Sequence, residues 1–213
     1  MSLAGQAQDL FQRLLELHPD AECALVFSGP WQLLVATMLS AQCTDKRVNL
    51  VTEGLFGLLP GPKEMAACPQ GRLEDLIRST GFFRNKAKNL IACAAAVLER
   101  HAGQVPRSLE ELVALPGVGR KTANVVLGNA FFIPGMVVDT HVKRLSRRFG
   151  WTRQTDPVKI EQELMRLLPR DSWTQAGHIL IAHGREYCKA PIPLCSRCPL
   201  LPHCPRIGVE RSS

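Results

Sequence analysis

Two groups of residues have the types and spacing to do chemistry. The first is a lysine and an aspartate, Lys121 and Asp139, 18 residues apart. An unprotonated amine attacks electrophilic carbon and can form a Schiff base, but a lysine near its usual pKa of about 10.4 is almost wholly protonated at neutral pH. Lys121 therefore needs activation. Arg120 beside it and the positive end of a helix starting there both disfavour the charged form, and partial burial would act in the same direction. Asp139 precedes Thr140-His141-Val142, where it can cap a helix whose dipole helps keep the carboxylate ionised. A carboxylate fixed in that way stabilises a developing cation or takes a proton. Taken singly, a surface lysine and a structural cap are the commoner readings of the two.

The second group is cysteine. Cys188, Cys195, Cys198 and Cys204 fall within 17 residues, with gaps of six, two and five. Four thiolates so close in sequence can enclose a zinc ion or an iron–sulfur cube. Zinc sites usually repeat short gaps, and only the middle gap has that form; wider loops suit the cube. Spacing by itself leaves both open. Cys23, Cys43, Cys68 and Cys93 are scattered and read as small apolar fillers of a core.

The elements that must position these groups are helices. Apolar residues recur at three and four positions, and no convincing alternating strand is present. A first helix carries Leu10, Leu14 and Leu17 and stops near His18-Pro19. Ser28 is a cap candidate for a second helix with Pro30 in its first turn, and Thr44-Asp45 opens a third, ending near Gly57 to Gly61. Further helices fit residues 72–79, 85–100, 108–114, 120–130, 140–149, 156–168 and 172–187. Residues 108–130 read SLEELVALPGVGRKTANVVLGNA. Ser108 with Glu111 has the form of a capping box; Pro116 ends the short helix, and Gly117 and Gly119 allow a tight reversal into the next. Such a hairpin turns backbone N–H groups and a helix N-terminus outward without bulky side chains, which suits a phosphate. An ordinary helical corner is the plain alternative. The tail from Cys188 onward is too short and irregular to bury a core of its own.

Composition narrows the class of partner. With 46% apolar residues the chain is no disordered polymer. It has no apolar run long enough for a membrane span and no signal-peptide pattern at its start, so a cytoplasmic protein with reduced cysteines is expected. The formal charge is +7, and residues 134–213 carry nearly all of it. An uneven basic surface of this kind attracts a polyanion, most often nucleic acid. Ile133-Pro134-Gly135 marks the change in charge and could separate two helical lobes with a cleft between them.

LPGVGRKTANVV, then VVDTHVKRLSRR, then the C-x6-C-x2-C-x5-C spacing, preceded by WQLLVATMLSAQCTD, together resemble the endonuclease III family, the iron–sulfur branch of the helix-hairpin-helix DNA glycosylases. The resemblance runs over nearly the whole chain. It implies an all-α fold of two helical lobes flanking a DNA-binding cleft, with residues 22–133 as a barrel-like domain and residues 1–21 plus 134–213 as the cluster domain. It makes Lys121 the Schiff-base nucleophile and Asp139 the essential carboxylate of a bifunctional glycosylase/lyase acting on oxidised pyrimidines. It makes Cys188, Cys195, Cys198 and Cys204 the ligands of one [4Fe–4S] cluster. DNA contacts are expected from Gln42, Phe82, Gly117, Gly119, Arg120, Thr122, Lys189 and Arg197, with Gln42 filling the space of an extruded base. Phe82 departs from the leucine common at the wedge position; it reads equally as a core aromatic after a glycine cap. The partner implied is damaged double-stranded DNA, the protein a monomer associated with the nucleoid. Two other readings remain: a non-catalytic helix-hairpin-helix DNA binder with a structural or redox cluster, and a mismatch adenine glycosylase. The first leaves Lys121 and Asp139 unexplained; Lys121, and the short stretch after Cys204, speak against the second.

Overall fold

The structure, a computed structural model, describes residues 2–213. Among them the chain is all-helical and holds no strand, as expected. It divides into two compact units, Cys23–Ile133 and Met1–Glu22 with Pro134–Ser213. No helix among the described residues is long and apolar enough to cross a membrane.

The unit Cys23–Ile133 is built around α2 (Pro30–Leu39). Its sequence PWQLLVATML is apolar around the whole circumference, and all but Pro30 and Gln32 are buried, the behaviour of a helix surrounded on every side. α3 (Asp45–Leu58), α6 (Phe83–His101) and α8 (Arg120–Ala130) pack on it, while α4 (Pro62–Ala67) and α5 (Gln70–Ile77) lie against α6 and α7 (Leu109–Val113) against α8. Cys68 and Cys93 are buried in this core, and Cys23 and Cys43 pack partly buried against it.

Two local expectations need correction. Ser28 does not cap α2. The N-cap is Gly29, and Ser28 instead donates its backbone N–H and hydroxyl to Gln32 Oε1, at 2.9 and 2.8 Å. α4 was not expected at all; its six residues are too few to show a helical period, yet Pro62 at the first position and buried Met65 secure it against α6.

The second unit joins α1 (Leu3–Leu17), α9 (Thr140–Arg148), α10 (Pro157–Leu167) and α11 (Trp173–Glu186). α1 packs on α10 and α11, and α9 on α10 and α11. α9 turns Val142 and Leu145 inward and leaves its basic residues nearer the surface. The tail after Cys188 contains only two three-residue 3-10 turns, Cys195–Arg197 and Leu201–His203. It is tied down by single hydrogen bonds, such as Ile207 N–H to Arg148 O at 2.9 Å and Leu194 N–H to Tyr187 O at 2.9 Å.

Candidate functional site

The hairpin is assembled from local pieces. Ser108 Oγ accepts the N–H of Glu111 at 3.2 Å and donates its own proton to the Glu111 carboxylate at 2.7 Å. α7 ends at Val113, ahead of Pro116. The reversal rests on Gly117 rather than on two glycines. Gly117 has φ +75°, and a Cβ there would lie 2.7 Å from Asn89 Cβ and 3.0 Å from Met38 Cε. Gly119 has an ordinary φ of −92° and caps α8. Nothing lies within 4 Å of a Cβ built on it, so the absence of a side chain there keeps the surface open to a partner's close approach. Lys121 follows in the first turn of α8 and is exposed, with Arg120 and Thr122 half-buried beside it. The partial burial expected of Lys121 is thus not found in the free protein.

Asp139 is the N-cap of α9, as expected. Its Oδ1 accepts the N–H of Val142 at 2.8 Å, and the residue is half-buried. An imidazole and a guanidinium stand near: the carboxylate acts electrostatically on both His141 and Arg144. Burial holds the His141 imidazole below its usual range, with Asp139 opposing and Arg144 reinforcing that shift. The carboxylate is thus fixed in direction by the backbone.

The four cysteines of the tail line one cavity together with Phe149, His183, Leu194 and Leu201. All are free thiols. Burial pushes the Cys198 and Cys204 thiols up, and the neighbouring cysteines push the same way, against backbone N–H groups of Leu200 and Arg206 respectively. Four thiolates this crowded stay ionised together only with a cationic centre among them, and soft sulfur donors in an apolar wall suit iron or another thiophilic metal. Among the described residues no group of three or more His, Cys, Asp or Glu side chains forms a site for a single metal ion. Lys189 and Arg197 are exposed on the same loop.

Several residues here had no sequence signal. Arg148 donates to Cys188 Sγ at 3.2 Å and to Lys189 O at 2.9 Å; Arg144 donates to Cys188 O at 3.0 Å and Gly184 O at 3.1 Å. α9 thus carries Asp139 at its start and holds the cysteine loop from its later turns. Buried His18 and His183 pair at 3.0 Å, and His183 Nε2 lies 3.5 Å from Cys198 Sγ. Burial, reinforced by His18, lowers His183 to about 4, so the ring is neutral at physiological pH. These partners are up to 165 residues apart, beyond any spacing rule.

Gln42 and Phe82 share an unusual backbone. Both are non-glycine residues in the left-handed region, at φ 53° and 48°, and both are exposed; Phe82 keeps 63% of its surface. That excludes the reading of Phe82 as a core aromatic. Together with Gly117 they line a cavity of about 170 Å³.

The chain is all-helical, with a Gly-Val-Gly hairpin that feeds a lysine into α8 and an aspartate that caps α9. Residues 35–170 match the HhH-GPD superfamily of base excision DNA repair proteins. The chain is 50% identical to endonuclease III of Synechocystis, covering 94% of this chain and 92% of the relative, and 47% identical to endonuclease III of Bacillus subtilis, covering 97% and 94%. Its fold is similar to that of a trapped covalent intermediate of endonuclease III with DNA, at a TM-score of 0.91 and 44% identity over 96% of each chain. A thermostable thymine-DNA glycosylase, 19% identical, shares the fold at a TM-score of 0.85 over 95% of this chain and 97% of its own. The chain therefore belongs to the endonuclease III family and is a base-excision DNA glycosylase with abasic-site lyase activity.

Proposed function

We propose that this enzyme removes oxidised pyrimidines, of the thymine glycol type, from double-stranded DNA, with Lys121 as nucleophile and Asp139 as the essential carboxylate. The unprotonated Lys121 amine attacks C1′ of the damaged nucleotide, the C1′–N bond breaks, and the base leaves with a proton. Ring opening gives an imine between Lys121 and C1′. Loss of a C2′ proton then expels the 3′ phosphate by β-elimination, and water hydrolyses the imine to free the lysine. Asp139 bears the positive charge that develops at C1′ as the base departs, or moves a proton. The observation that carries this reading is the fixed carboxylate: Asp139 is locked by Val142 N–H at 2.8 Å, preorganised before any substrate arrives.

The target nucleotide must be out of the helix for that attack, at a cost of a few kcal/mol that is least at a damaged pair. Gln42 and Phe82, exposed on left-handed turns, occupy the vacated space. Gly117, Gly119, Arg120 and Thr122 approach the phosphates at the hairpin, and Lys189 and Arg197 do so from the cysteine loop. Cys188, Cys195, Cys198 and Cys204 hold one [4Fe–4S] cluster, which when bound cross-links a tail without a core; with every iron already ligated it offers no open position for hydrolysis. The protein acts as a monomer on DNA in the cytoplasm. Endonuclease III is known in covalent and non-covalent complexes with DNA, which supports the partner.

Incision of a panel of duplexes tests the substrate. Thymine-glycol and abasic strands should be nicked and undamaged DNA left whole, and Asp139→Asn should lose most base removal. Nicking of neither lesion by a brown, iron-loaded preparation would contradict the proposal.

A further inference from the structure

Lys86 is a lysine where a lysine is costly. It lies on α6 with 7% of its surface exposed, and a buried ammonium needs specific partners to hold it. Among the described residues no carboxylate provides them. Instead Nζ donates to two backbone carbonyls, Leu39 O at 2.8 Å and Thr80 O at 2.7 Å. Burial depresses its pKa, with Cys43 acting weakly the other way, as expected for a charge kept only by its hydrogen bonds.

Those two carbonyls stand just ahead of the two exposed left-handed residues. Leu39 ends α2 three positions before Gln42; Thr80 ends a 3-10 turn two positions before Phe82. Non-glycine residues in the left-handed region persist only where the surroundings over-determine them. Ser40 donates its hydroxyl to Thr37 O at 2.8 Å and accepts Cys43 N–H at 3.1 Å across the Gln42 turn, and Gly81 with φ 71° leads into Phe82. Lys86 thus joins the roots of two loops some 40 residues apart in sequence, and it lines the same cavity as Gln42, Phe82 and Gly117. A methionine would fill the volume with less desolvation; what it could not do is bind both carbonyls.

We infer that Lys86 is a positioning residue: its ammonium ties the end of α2 to the turn before Phe82, setting the distance between Gln42 and Phe82 so that both tips enter one opened site in DNA. The inference rests on the proposed role of those tips. Lys86 itself meets neither base nor phosphate. Preorganised tips lower the cost of holding a base outside the helix, and they matter little where no base has to be displaced.

The test compares Lys86→Met, which keeps length and loses both donors, with Lys86→Gln, whose amide reaches one carbonyl at most. Single-turnover incision is measured on a paired thymine-glycol duplex and on an abasic duplex. Lys86→Met should lose about 10- to 100-fold on the paired lesion and under about threefold on the abasic site; Lys86→Gln should fall between Met and wild type, with the same substrate bias. Both substitutions are repeated in a Gln42→Ala/Phe82→Ala background, where neither should cost more than about twofold. Equal loss on the two substrates, or undiminished loss in the tipless background, would make Lys86 merely structural and overturn the inference. Should the tipless protein discriminate the substrates as wild type does, the role of the tips themselves fails, and that result is separate from anything seen at Lys86. If Lys86→Met does not fold, the substrate bias of Lys86→Gln decides alone.

Discussion

The hairpin and the cysteine loop are held by opposite means. The hairpin stands on a helical core, with α2 buried along almost its whole length and α6 and α8 against it; Gly117, Gly119, Lys121 and the two left-handed tips are exposed on it. The cysteine loop has two short 3-10 turns, a few buried apolar side chains and a set of arginine and backbone bonds from α9. The first is rigid because its neighbours are packed. With the proposed cluster in place, the second would be specified by ligation at its four sulfurs, a division of labour between hydrophobic burial and ligation.

That contrast is broken most severely at the four cysteines. Cys198→Ser should abolish iron binding, unfold the tail after Cys188 and leave the helices of Cys23–Ile133 intact; iron content, visible absorbance and hydrogen exchange by segment would check it. A tail that stays protected without iron would remove the contrast.

On the other side, Gly117→Ala should destabilise by roughly 2–5 kcal/mol, combining a left-handed backbone with a 2.7 Å collision at Asn89 Cβ. Gly119→Ala has room and an ordinary φ, so it should change stability by only a few tenths of a kcal/mol and act instead on DNA affinity. Chemical denaturation of the two variants separates the turn-forming glycine from the surface-clearing one.

Acid should sharpen the comparison next. His18, His141, His178 and His183 all lie in the cysteine-bearing unit, and burial is the first cause lowering each. For His183 the folded value of about 4 lies below the unfolded 6.5, so the unfolded state binds more protons in between. Its stabilisation is full above pH 6.5, falls as pH drops from there, and levels off near pH 4, a loss of about 3 kcal/mol from this group. Hydrogen exchange between pH 7 and 4.5 should show that unit opening first; uniform loss across both units would contradict this.

What could be read from residue types alone divides along the same line. The hairpin, the Asp139 cap and the cysteine spacing are local patterns, and each stands in the structure at its expected place in the chain. α4 escaped because six residues cannot display a period. Ser28 misled because a cap residue and a residue donating to a downstream Gln look identical in sequence. Lys86, a lysine on the buried stripe of α6 with Leu90, Cys93 and Val97, and the His18–His183 pair, 165 positions apart, depend on contacts that only the packed chain creates. Nothing in the spacing of Arg148 signals its reach to Cys188 Sγ, 40 positions away. Phe82 could be assigned to core or surface only by its exposure.

The central claim is that Lys121, exposed on the first turn behind the hairpin, forms the covalent bond to DNA. Borohydride reduction of the protein on an abasic or thymine-glycol duplex tests it directly. The wild type should be trapped as a covalent protein–DNA adduct, Asp139→Asn should still be trapped on the preformed abasic site, and Lys121→Ala should give no adduct while still binding the duplex. Undiminished trapping by Lys121→Ala would contradict the account.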